Sequence, residues 1–377
     1  MGKVNIIGGG IGGLALANAL QFKGIDFDLF EQAPQLTEVG AAIGLSKAAL
    51  DILDTFNLGN AVRDAGSITS NIHLADRNLN IIRAISPEWP SVILHRAKLI
   101  DVLASILPTE KIHLNRKLID IESRAEVSIL RFSDSFEMKS ACTVVADGIQ
   151  SFTRQQLFPK LKIRFAQQTI WRGITDIQLP QRYSNTYTEI WDNSKRFLFA
   201  PMDAKNVCWL AVKNTDVGKQ DNPKTVRLDL LQEYNNFHPI VKELIFKSSN
   251  FIKNDLADLG NHDQNWYHNK IVFLGDAIHA ATPNLAQGAC QAIEDAYCLS
   301  LLMQKQKEDF SDIFPTYQKI RKSKVSLVIN KSWQLGKMTH SQLLSPFIKF
   351  GFRYAPHRVF IGLERRLNDL SYLERLE

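Results

Sequence analysis

The stretch from Val4 to Gly13 reads VNIIGGGIGG. Its first four residues form a short, mainly apolar run that stops at glycine, which predicts a buried parallel strand. Ile11–Lys23 is rich in leucine and small residues and is followed by glycine, so it predicts a helix. Phe27–Phe30 predicts a second strand. The chain therefore opens with a strand–helix–strand unit whose first turn is made of glycine.

The glycines of this turn match a dinucleotide-binding fingerprint. Gly8, Gly10 and Gly13 satisfy G-x-G-x-x-G, and the helix that starts at Ile11 offers free N–H groups to a pyrophosphate. Glu31 lies at the end of the second strand, where a carboxylate accepts hydrogen bonds from ribose hydroxyls. Such an acid disfavours a 2′-phosphate, so the pattern predicts FAD or NAD rather than NADP. A glycine turn that only packs is the alternative.

Composition excludes several classes of protein. The 377 residues are 45% hydrophobic and 22% charged, which is typical of a folded globular protein. The net charge of +6 is spread along the chain, so we expect no nucleic-acid partner. The four cysteines and nine histidines show no metal-ligand spacing, which predicts no metal site and free thiols in a reducing compartment. No signal peptide or membrane-spanning run is evident, so we expect a cytoplasmic protein.

The pattern changes near residue 160. Alternation in Thr188–Trp191 and Arg196–Phe199 predicts antiparallel strands in the middle of the chain. The expected domains are residues 1–160 with 266–335 for the dinucleotide, residues 161–265 for a sheet that binds the substrate, and a helical tail over 336–377. Further helices are expected over Leu99–Leu107, Val226–Phe246 and the region after Ala286, and further strands over Ile112–Glu122, Val127–Phe132, Cys142–Ala146 and Ile271–Leu274.

Two later motifs suggest a family. Residues 146–154 read ADGIQSFTR, residues 274–283 read LGDAIHAATP, and QGACQAIEDA follows over residues 287–296. With the fingerprint and Glu31, these segments resemble the class A flavoprotein monooxygenases, the aromatic-ring hydroxylases, over about residues 3–335. Val39–Ile43 and the QGAC segment resemble the urate- and salicylate-hydroxylase branch. Ala286 stands where the family usually has glycine, and a positive φ there would cost about 1 kcal/mol.

The resemblance implies an α/β fold. A Rossmann-like FAD-binding domain, as in p-hydroxybenzoate hydroxylase, would have an inserted antiparallel-sheet substrate domain and a helical C-terminus. The implied enzyme uses NAD(P)H and O₂ to hydroxylate or epoxidise a small, planar aromatic or heteroaromatic substrate through a flavin C4a-hydroperoxide. The alternatives are a flavin reductase or halogenase without oxygen insertion, and a non-catalytic carrier on the same fold.

The resemblance also implies the cofactor residues. Asp276 would hold a ribityl hydroxyl, and the helix start at Gln287 would face the flavin. The expected FAD-binding residues are Gly8, Gly10, Ile11, Gly13, Glu31, Arg96, Asp147, Asp276, Pro283, Gln287, Gly288 and Ala289. No second glycine fingerprint exists for NADH or NADPH, which would therefore visit transiently. Ser151 and Arg154 are the candidates for contacting it, although Arg154 could instead only tie its motif to the sheet.

The substrate wall is expected on the middle sheet. Aromatic rings suit a flat substrate and arginine suits an anionic or carbonyl group, so the candidates are Trp171, Arg172, Tyr187, Arg196, Phe199 and Trp209. Strand alternation directs only half of them inward, and the sequence does not say which half. Pro283 and Arg196 are the candidate catalytic residues, while His279 and Asp295 are expected to be structural.

The tail carries a basic amphipathic pattern. Apolar residues recur at helical spacing among arginines at Phe360, Leu363, Leu367, Leu370 and Leu373. We expect this helix to dock on its own domain or on a second copy, which leaves a monomer or a homodimer open. Contact with a membrane is the less favoured alternative.

Overall fold

The computed structural model describes residues 3–36, 40–192, 194–306, 310–339 and 345–376. Its strands, in chain order, are β1 (Val4–Ile7), β2 (Phe27–Phe30), β3 (Ala42–Leu45), β4 (Gly66–Thr69), β5 (Asn71–Ala75), β6 (Ile81–Ile85), β7 (Ser91–His95), β8 (Ile112–His113), β9 (Leu118–Ser123), β10 (Ser128–Phe132), β11 (Glu137–Ser140), β12 (Thr143–Val145), β13 (Arg164–Asp176), β14 (Thr186–Asp192), β15 (Lys195–Pro201), β16 (Asn206–Asn214), β17 (Ile252–Asp258), β18 (Tyr267–His268) and β19 (Ile271–Phe273).

Helices cover both ends of the chain and the middle. They are α1 (Ile11–Phe22), α2 (Lys47–Thr55), α3 (Gly59–Asp64), α4 (Arg96–Ala104), α5 (Phe152–Leu157), α6 (Val226–Glu233), α7 (Pro239–Lys247), α8 (Asp276–His279), α9 (Gly288–Lys305), α10 (Phe314–Thr339), α11 (Ser345–Tyr354), α12 (His357–Asn368) and α13 (Ser371–Glu374). Val39, the first residue of one predicted family match, lies outside the described residues.

A parallel sheet brings the three motifs to one edge. Its strand order is β18-β19-β12-β1-β2-β8, and β1 lies between β12 and β2 with all three parallel. Ile7 is opposite both Val145 and Phe30, so these strands end at the same level. Because carboxyl ends of parallel strands share an edge, the glycine turn, Glu31 and Asp147 come together there. The strand β19 adds the third motif to the same edge.

Helices α1 and α9 cover one face of this sheet. Small residues allow the two helices to approach closely, because a Cβ atom on Gly12 would lie 3.3 Å from the Cβ of Ala292. Leu14, Ile293 and Leu274 are buried in the same apolar core. The close packing fixes the N-terminus of α9 relative to the glycine turn.

A seven-stranded sheet forms the second layer. Its order is β17-β13-β16-β15-β14-β5-β6, and the neighbouring strands are antiparallel except for the parallel pair β14–β5. The strands β5 and β6 come from residues 71–85, so the sheet extends beyond the segment 161–265 predicted for it. These two strands escaped prediction because one is short and half-buried and the other lies at the edge, where a continuous apolar run is not required.

Two predicted elements were wrong in extent. The helix predicted over Val226–Phe246 is two helices, because His238 caps α7 by accepting the N–H of Ile240 and Pro239 occupies the first turn. The strand predicted over Ile112–Glu122 is interrupted at Asn115, whose φ is +57°. Both breaks are made by residues that favour caps and turns.

The last helices dock on their own chain. Leu367 and Leu373 are buried, and Arg365 forms an ion pair with Glu88. The carboxylate of Glu364 accepts the backbone N–H groups of Glu88 and Trp89, both at 3.1 Å. The apolar face predicted for the tail is therefore used inside the molecule.

Candidate active site

The phosphate turn accepts only glycine at its two critical positions. Gly8 has a φ of +110°, and a Cβ atom there would lie 2.5 Å from the carbonyl oxygen of Ala146. A Cβ atom on Gly13 would lie 1.9 Å from the carbonyl oxygen of Gly8. The backbone at Gly10 and Ile11 can therefore approach a pyrophosphate, and the first N–H groups of α1 lack intrahelical partners. The cradle fits the diphosphate of a dinucleotide.

Glu31 is held against the mouth of this turn. Its Oε2 accepts the N–H of Gly9 at 2.6 Å, and its Oε1 accepts the N–H of Ala33 at 2.8 Å. Two backbone donors orient the carboxylate and leave lone pairs for further donors. Its position after β2 matches the ribose role predicted for it.

Asp147 has an oxygen available at the same edge. Its Oδ2 accepts the N–H of Phe152 at 3.1 Å, while its buried Oδ1 has no hydrogen-bond partner among the described residues. Desolvation raises the pKa of Asp147 to about 6, against the opposing effects of Ser151 and Arg154. An unpaired buried carboxylate oxygen fits a hydroxyl or N–H donor of the cofactor.

Asp276 faces the cleft beyond the third motif. It follows Gly275, whose φ is +59°, and it is exposed. The surrounding protein raises the pKa of Asp276 by desolvation, and the positive charges of His279 and Arg96 oppose this shift. Its Oδ1 lies near Gly288, where an added Cβ would be 3.8 Å away. Asp276, Arg96 and the start of α9 therefore face one region, as expected for groups that hold FAD.

The loop before α9 has the strain expected of its alanine. Ala286 adopts the left-handed conformation with a φ of +52°, and its N–H donates to the carbonyl oxygen of Pro283 at 2.9 Å. The first intrahelical bond runs from the N–H of Gln291 to the oxygen of Gln287. The N–H groups of Gly288 and Ala289 therefore remain available at a positive helix end. Pro283 is exposed at the start of this turn.

Ser151 and Arg154, the residues predicted to contact a nicotinamide, are engaged by the protein itself. The side chain of Ser151 caps α5 by accepting the N–H of Arg154 at 3.0 Å, and both residues are buried. The guanidinium of Arg154 donates to the carbonyl oxygens of Ala277 at 2.9 Å and Ile149 at 2.6 Å. These contacts favour the alternative predicted for Arg154, in which it ties its motif to the sheet, over contact with a nicotinamide. Arg154 ties the second motif to the third.

The six predicted substrate residues divide between the two faces of the seven-stranded sheet. Arg172, Tyr187 and Arg196 lie on the face toward the FAD motifs. Tyr187 packs with Ile93 of β7, and the positive charge of Arg96 lowers the pKa of Arg172, after the larger effect of desolvation. The strand register places Leu210 and Leu198 across the sheet from Arg172 on this same face. We call this surface the cleft face.

Trp171, Phe199 and Trp209 lie on the opposite face. They pack with Tyr234 and Leu244 under α6 and α7 in one apolar cluster. The indole N–H of Trp209 donates to the Oγ of Ser248 at 2.7 Å. The sheet itself separates the three aromatic residues from the cofactor motifs, which disfavours the substrate role predicted for them.

The cleft face holds a buried ion pair that the sequence patterns did not predict. The Nε of Arg196 and the indole N–H of Trp191 both donate to Oε1 of Glu189, at 2.6 and 2.7 Å. The Nη1 of Arg196 donates to the Oδ1 of Asn284 at 2.6 Å, in the loop between Pro283 and Ala286. Arg196 therefore joins the sheet to the loop before α9. The sequence signal that could have predicted this ion pair is Glu189, a glutamate within the otherwise uncharged strand segment Thr188–Trp191.

Comparison with known proteins identifies the family of this chain. Residues 1–332 match the family model described as an FAD binding domain. The aurachin C monooxygenase/isomerase of Stigmatella aurantiaca is 33% identical over 344 residues, which cover 89% of each chain. This protein belongs to the family of FAD-dependent monooxygenases. The FAD cofactor and the flavoprotein monooxygenase family predicted from the motifs are confirmed.

Two further proteins are similar to this chain over most of its length. The 2-heptyl-3-hydroxy-4(1H)-quinolone synthase of Pseudomonas aeruginosa is 28% identical over 346 residues and 89% of each chain. The structure of Klebsiella pneumoniae HpxO with FAD and uric acid superposes with a TM-score of 0.89 at 22% identity, over 97% of this chain and 96% of that one. The second likeness confirms the predicted fold class.

A buried charge network supports the third motif of this monooxygenase. Nε2 of His279 and the backbone N–H of Gly275 contact Oδ2 of Asp295 at 2.6 and 2.9 Å, and Nε of Arg321 donates to Oδ1 at 2.7 Å. Desolvation would raise the pKa of Asp295, but His279 and Arg321 outweigh it and lower the pKa to about 2. His279 is buried, and its Nε2 is held by Asp295.

The described residues contain no cluster of His, Cys, Asp or Glu that could hold a metal ion. The four cysteines are buried thiols that form no disulfide with one another. Among the described helices, none combines the length and hydropathy needed to cross a bilayer.

Proposed function

We propose that this monooxygenase uses NADH or NADPH and O₂ to hydroxylate a planar heteroaromatic substrate of the quinolone type. The observation that supports it is the cleft face, which opposes the FAD motifs and combines polar groups with an apolar strip. FAD, when bound, supplies the redox and oxygen-transfer chemistry. The protein's own residues bind the cofactor, orient the ring and limit access of water.

FAD binding follows from the donors and acceptors at the sheet edge. The N–H groups of α1 would hold the diphosphate, and Glu31 would accept the ribose hydroxyls. Asp276 would accept a ribityl hydroxyl, and Asp147 would use its unpaired Oδ1 for the same molecule. The N–H groups at the start of α9 would stabilise negative charge on the flavin when it is reduced.

The cleft face suits a flat ring with a carbonyl or phenolic oxygen. Arg172 donates from Nη2 to Asn254 at 3.0 Å, while its buried Nε has no hydrogen-bond partner among the described residues. That free donor fits an anionic or carbonyl oxygen of the substrate. Leu198 and Leu210 provide apolar area for the ring between Arg172 and Glu189. The names of two relatives, an aurachin enzyme and a hydroxyquinolone synthase, support the same class.

The nicotinamide, the compartment and the oligomeric state are also proposals. Since Ser151 and Arg154 are buried, NAD(P)H would enter from the open side of the flavin site without a binding domain of its own. The buried cysteines, which form no disulfide with one another, support a cytoplasmic location. Monomer and homodimer both remain compatible with the cleft, which one chain completes.

The test is substrate-dependent turnover by the purified holoenzyme. NADH and NADPH oxidation, O₂ uptake and product mass would be followed with 4-quinolones, salicylate and urate. We expect a quinolone to stimulate O₂ uptake and to gain one oxygen atom. Turnover of salicylate or urate alone would reject the quinolone class. Flavin reduction that leaves every substrate unoxidised would favour a reductase, and a protein that does not retain FAD would favour a carrier.

Arg172→Ala tests the cleft face directly. We expect it to raise KM by about tenfold because a hydrogen bond from a charged group is lost. Arg182→Ala is the matched control, because Arg182 is exposed and stacks on Tyr183 away from the cleft face. An unchanged KM in Arg172→Ala would contradict the proposed role.

A further inference from the structure

Helix α11 presents a row of aromatic side chains to solvent. Phe347, Phe350 and Tyr354 are 75%, 66% and 65% exposed. Their spacing places them on one face of the helix, and the rings of Phe350 and Tyr354 lie 4.6 Å apart. We call these three residues the α11 patch. Single exposed apolar residues are common on protein surfaces, but a contiguous aromatic row marks an interaction surface.

The other side of α11 is anchored. Ile348 and Phe352 pack against Leu74, Ile82 and Trp191 of the seven-stranded sheet. The rings of Phe352 and Trp191 meet edge to face at 4.8 Å. The helix is therefore seated on the protein, and none of the described residues covers its outward face.

Positive charge near the α11 patch favours a negatively charged partner. Residues 345–368 contain five lysines and arginines and one acidic residue, Glu364; Lys349 and Arg365 are paired with Asp192 and Glu88. Arg353 and Arg358 are exposed, whereas Glu364 is already bonded to the backbone at Glu88 and Trp89. A second copy docked symmetrically on this patch would bring like charges together. An anionic lipid surface offers the opposite charge and an apolar boundary for the rings.

We propose that the α11 patch docks this monooxygenase on an anionic lipid surface. Phe347, Phe350 and Tyr354 enter the headgroup boundary, and the neighbouring arginines contact lipid phosphates. The patch lies close to the cleft face, because Trp191 beneath α11 donates to Glu189 at 2.7 Å. This differs from the tail helix that the sequence suggested as a membrane binder, since α12 uses its apolar face inside the molecule. The proposal does not depend on the identity of the substrate.

The test is co-sedimentation of the holoenzyme with vesicles of phosphatidylcholine alone or mixed with phosphatidylglycerol. We expect binding only to the mixed vesicles, and weaker binding at high salt. The double variant Phe350→Ala/Tyr354→Ala should lower the partition coefficient at least about tenfold, because two aromatic side chains are removed from the boundary. Arg353→Gln should lower it about fivefold through lost charge.

Phe246→Ala is the matched control. Phe246 is 63% exposed on α7, and its removal should leave vesicle binding unchanged. Flavin absorbance and the melting temperature would show whether each variant remains folded. If Phe350→Ala/Tyr354→Ala does not fold, the effect of Arg353→Gln on vesicle binding still tests the proposal. Failure of the holoenzyme to bind mixed vesicles would overturn the proposal. A concentration-dependent dimer that Phe350→Ala/Tyr354→Ala dissociates would assign the patch to a second copy instead.

Discussion

Two aspartates of the third motif region meet the turn at Gly275: Asp276 follows it in the chain, and Asp295 accepts the N–H of Gly275. Asp276 is exposed in the cleft, and its pKa is raised by desolvation. Asp295 is buried, yet its pKa is lowered to about 2. Desolvation by the surrounding protein pushes both pKa values upward, so the difference comes from partners: His279 and Arg321 lie within 2.7 Å of Asp295. A carboxylate saturated by the protein supports the fold, while an open one is available to a ligand.

The largest effect is expected from Asp295→Asn. The variant keeps the shape of the side chain but leaves Arg321 buried beside a neutral amide, which should lower the free energy of unfolding by about 3–5 kcal/mol. Urea unfolding of the holoenzyme measures this. Asp263→Asn is the control, since Asp263 is fully exposed beside Lys322 and should change stability by less than about 0.5 kcal/mol. Equal losses in the two variants would contradict the structural role of Asp295.

The same contrast predicts a pH dependence. A pKa of about 2 in the folded protein, below the unfolded value, means that Asp295 contributes stability above about pH 4 and loses it as the pH falls toward 2. The full contribution is on the order of 2 kcal/mol, and about half of it should disappear between pH 5 and pH 3. Urea midpoints at both pH values, compared between the wild type and Asp295→Asn, measure it. A difference between the proteins that does not shrink at pH 3 would contradict the assignment.

Asp276→Asn should affect the ligand and spare the fold. A carboxylate whose pKa is raised by folding does not stabilise the folded state at neutral pH, so no stability should be lost. Retention of FAD should weaken about tenfold, because a charge-assisted hydrogen bond is replaced by a weaker one. Titration of the FAD-free protein with FAD, followed by tryptophan fluorescence, gives the ratio. A loss of stability comparable with that of Asp295→Asn would contradict the assignment of Asp276 to the ligand and of Asp295 to the fold.

The smallest effect concerns the loop that leads into α9. Ala286→Gly removes the strain of a side chain at a φ of +52° and should raise stability by up to about 1 kcal/mol. Ala289→Gly, within the first turn of α9, is the control and should lower stability by a similar amount. The melting temperatures of the two variants should therefore move in opposite directions. A decrease in both would show that residue 286 is not strained.

Local patterns predicted what depends on local geometry. The glycine turn, Glu31 and the α/β fold followed from short spacings, because parallel strands place their carboxyl ends at one edge. The strain at Ala286 followed from the requirement for glycine at a left-handed position. Alternation also indicated that half of the six substrate candidates face the cleft, since successive side chains of a strand point to opposite faces.

Only the tertiary structure decided which three of the six substrate candidates face the cleft, and which charged side chains are not already bonded to other protein groups. Register and the position of α6 and α7 bury Trp209, while Arg196 pairs with Glu189 and reaches Asn284 across 88 residues of sequence. Arg154 is occupied by carbonyl groups of two separate motifs. Such pairings join residues far apart in the chain, so no local spacing encodes them. The sequence by itself determined the edge of the parallel sheet where the three motifs meet. Packing between distant segments determined which charged groups of this monooxygenase remain open to a ligand.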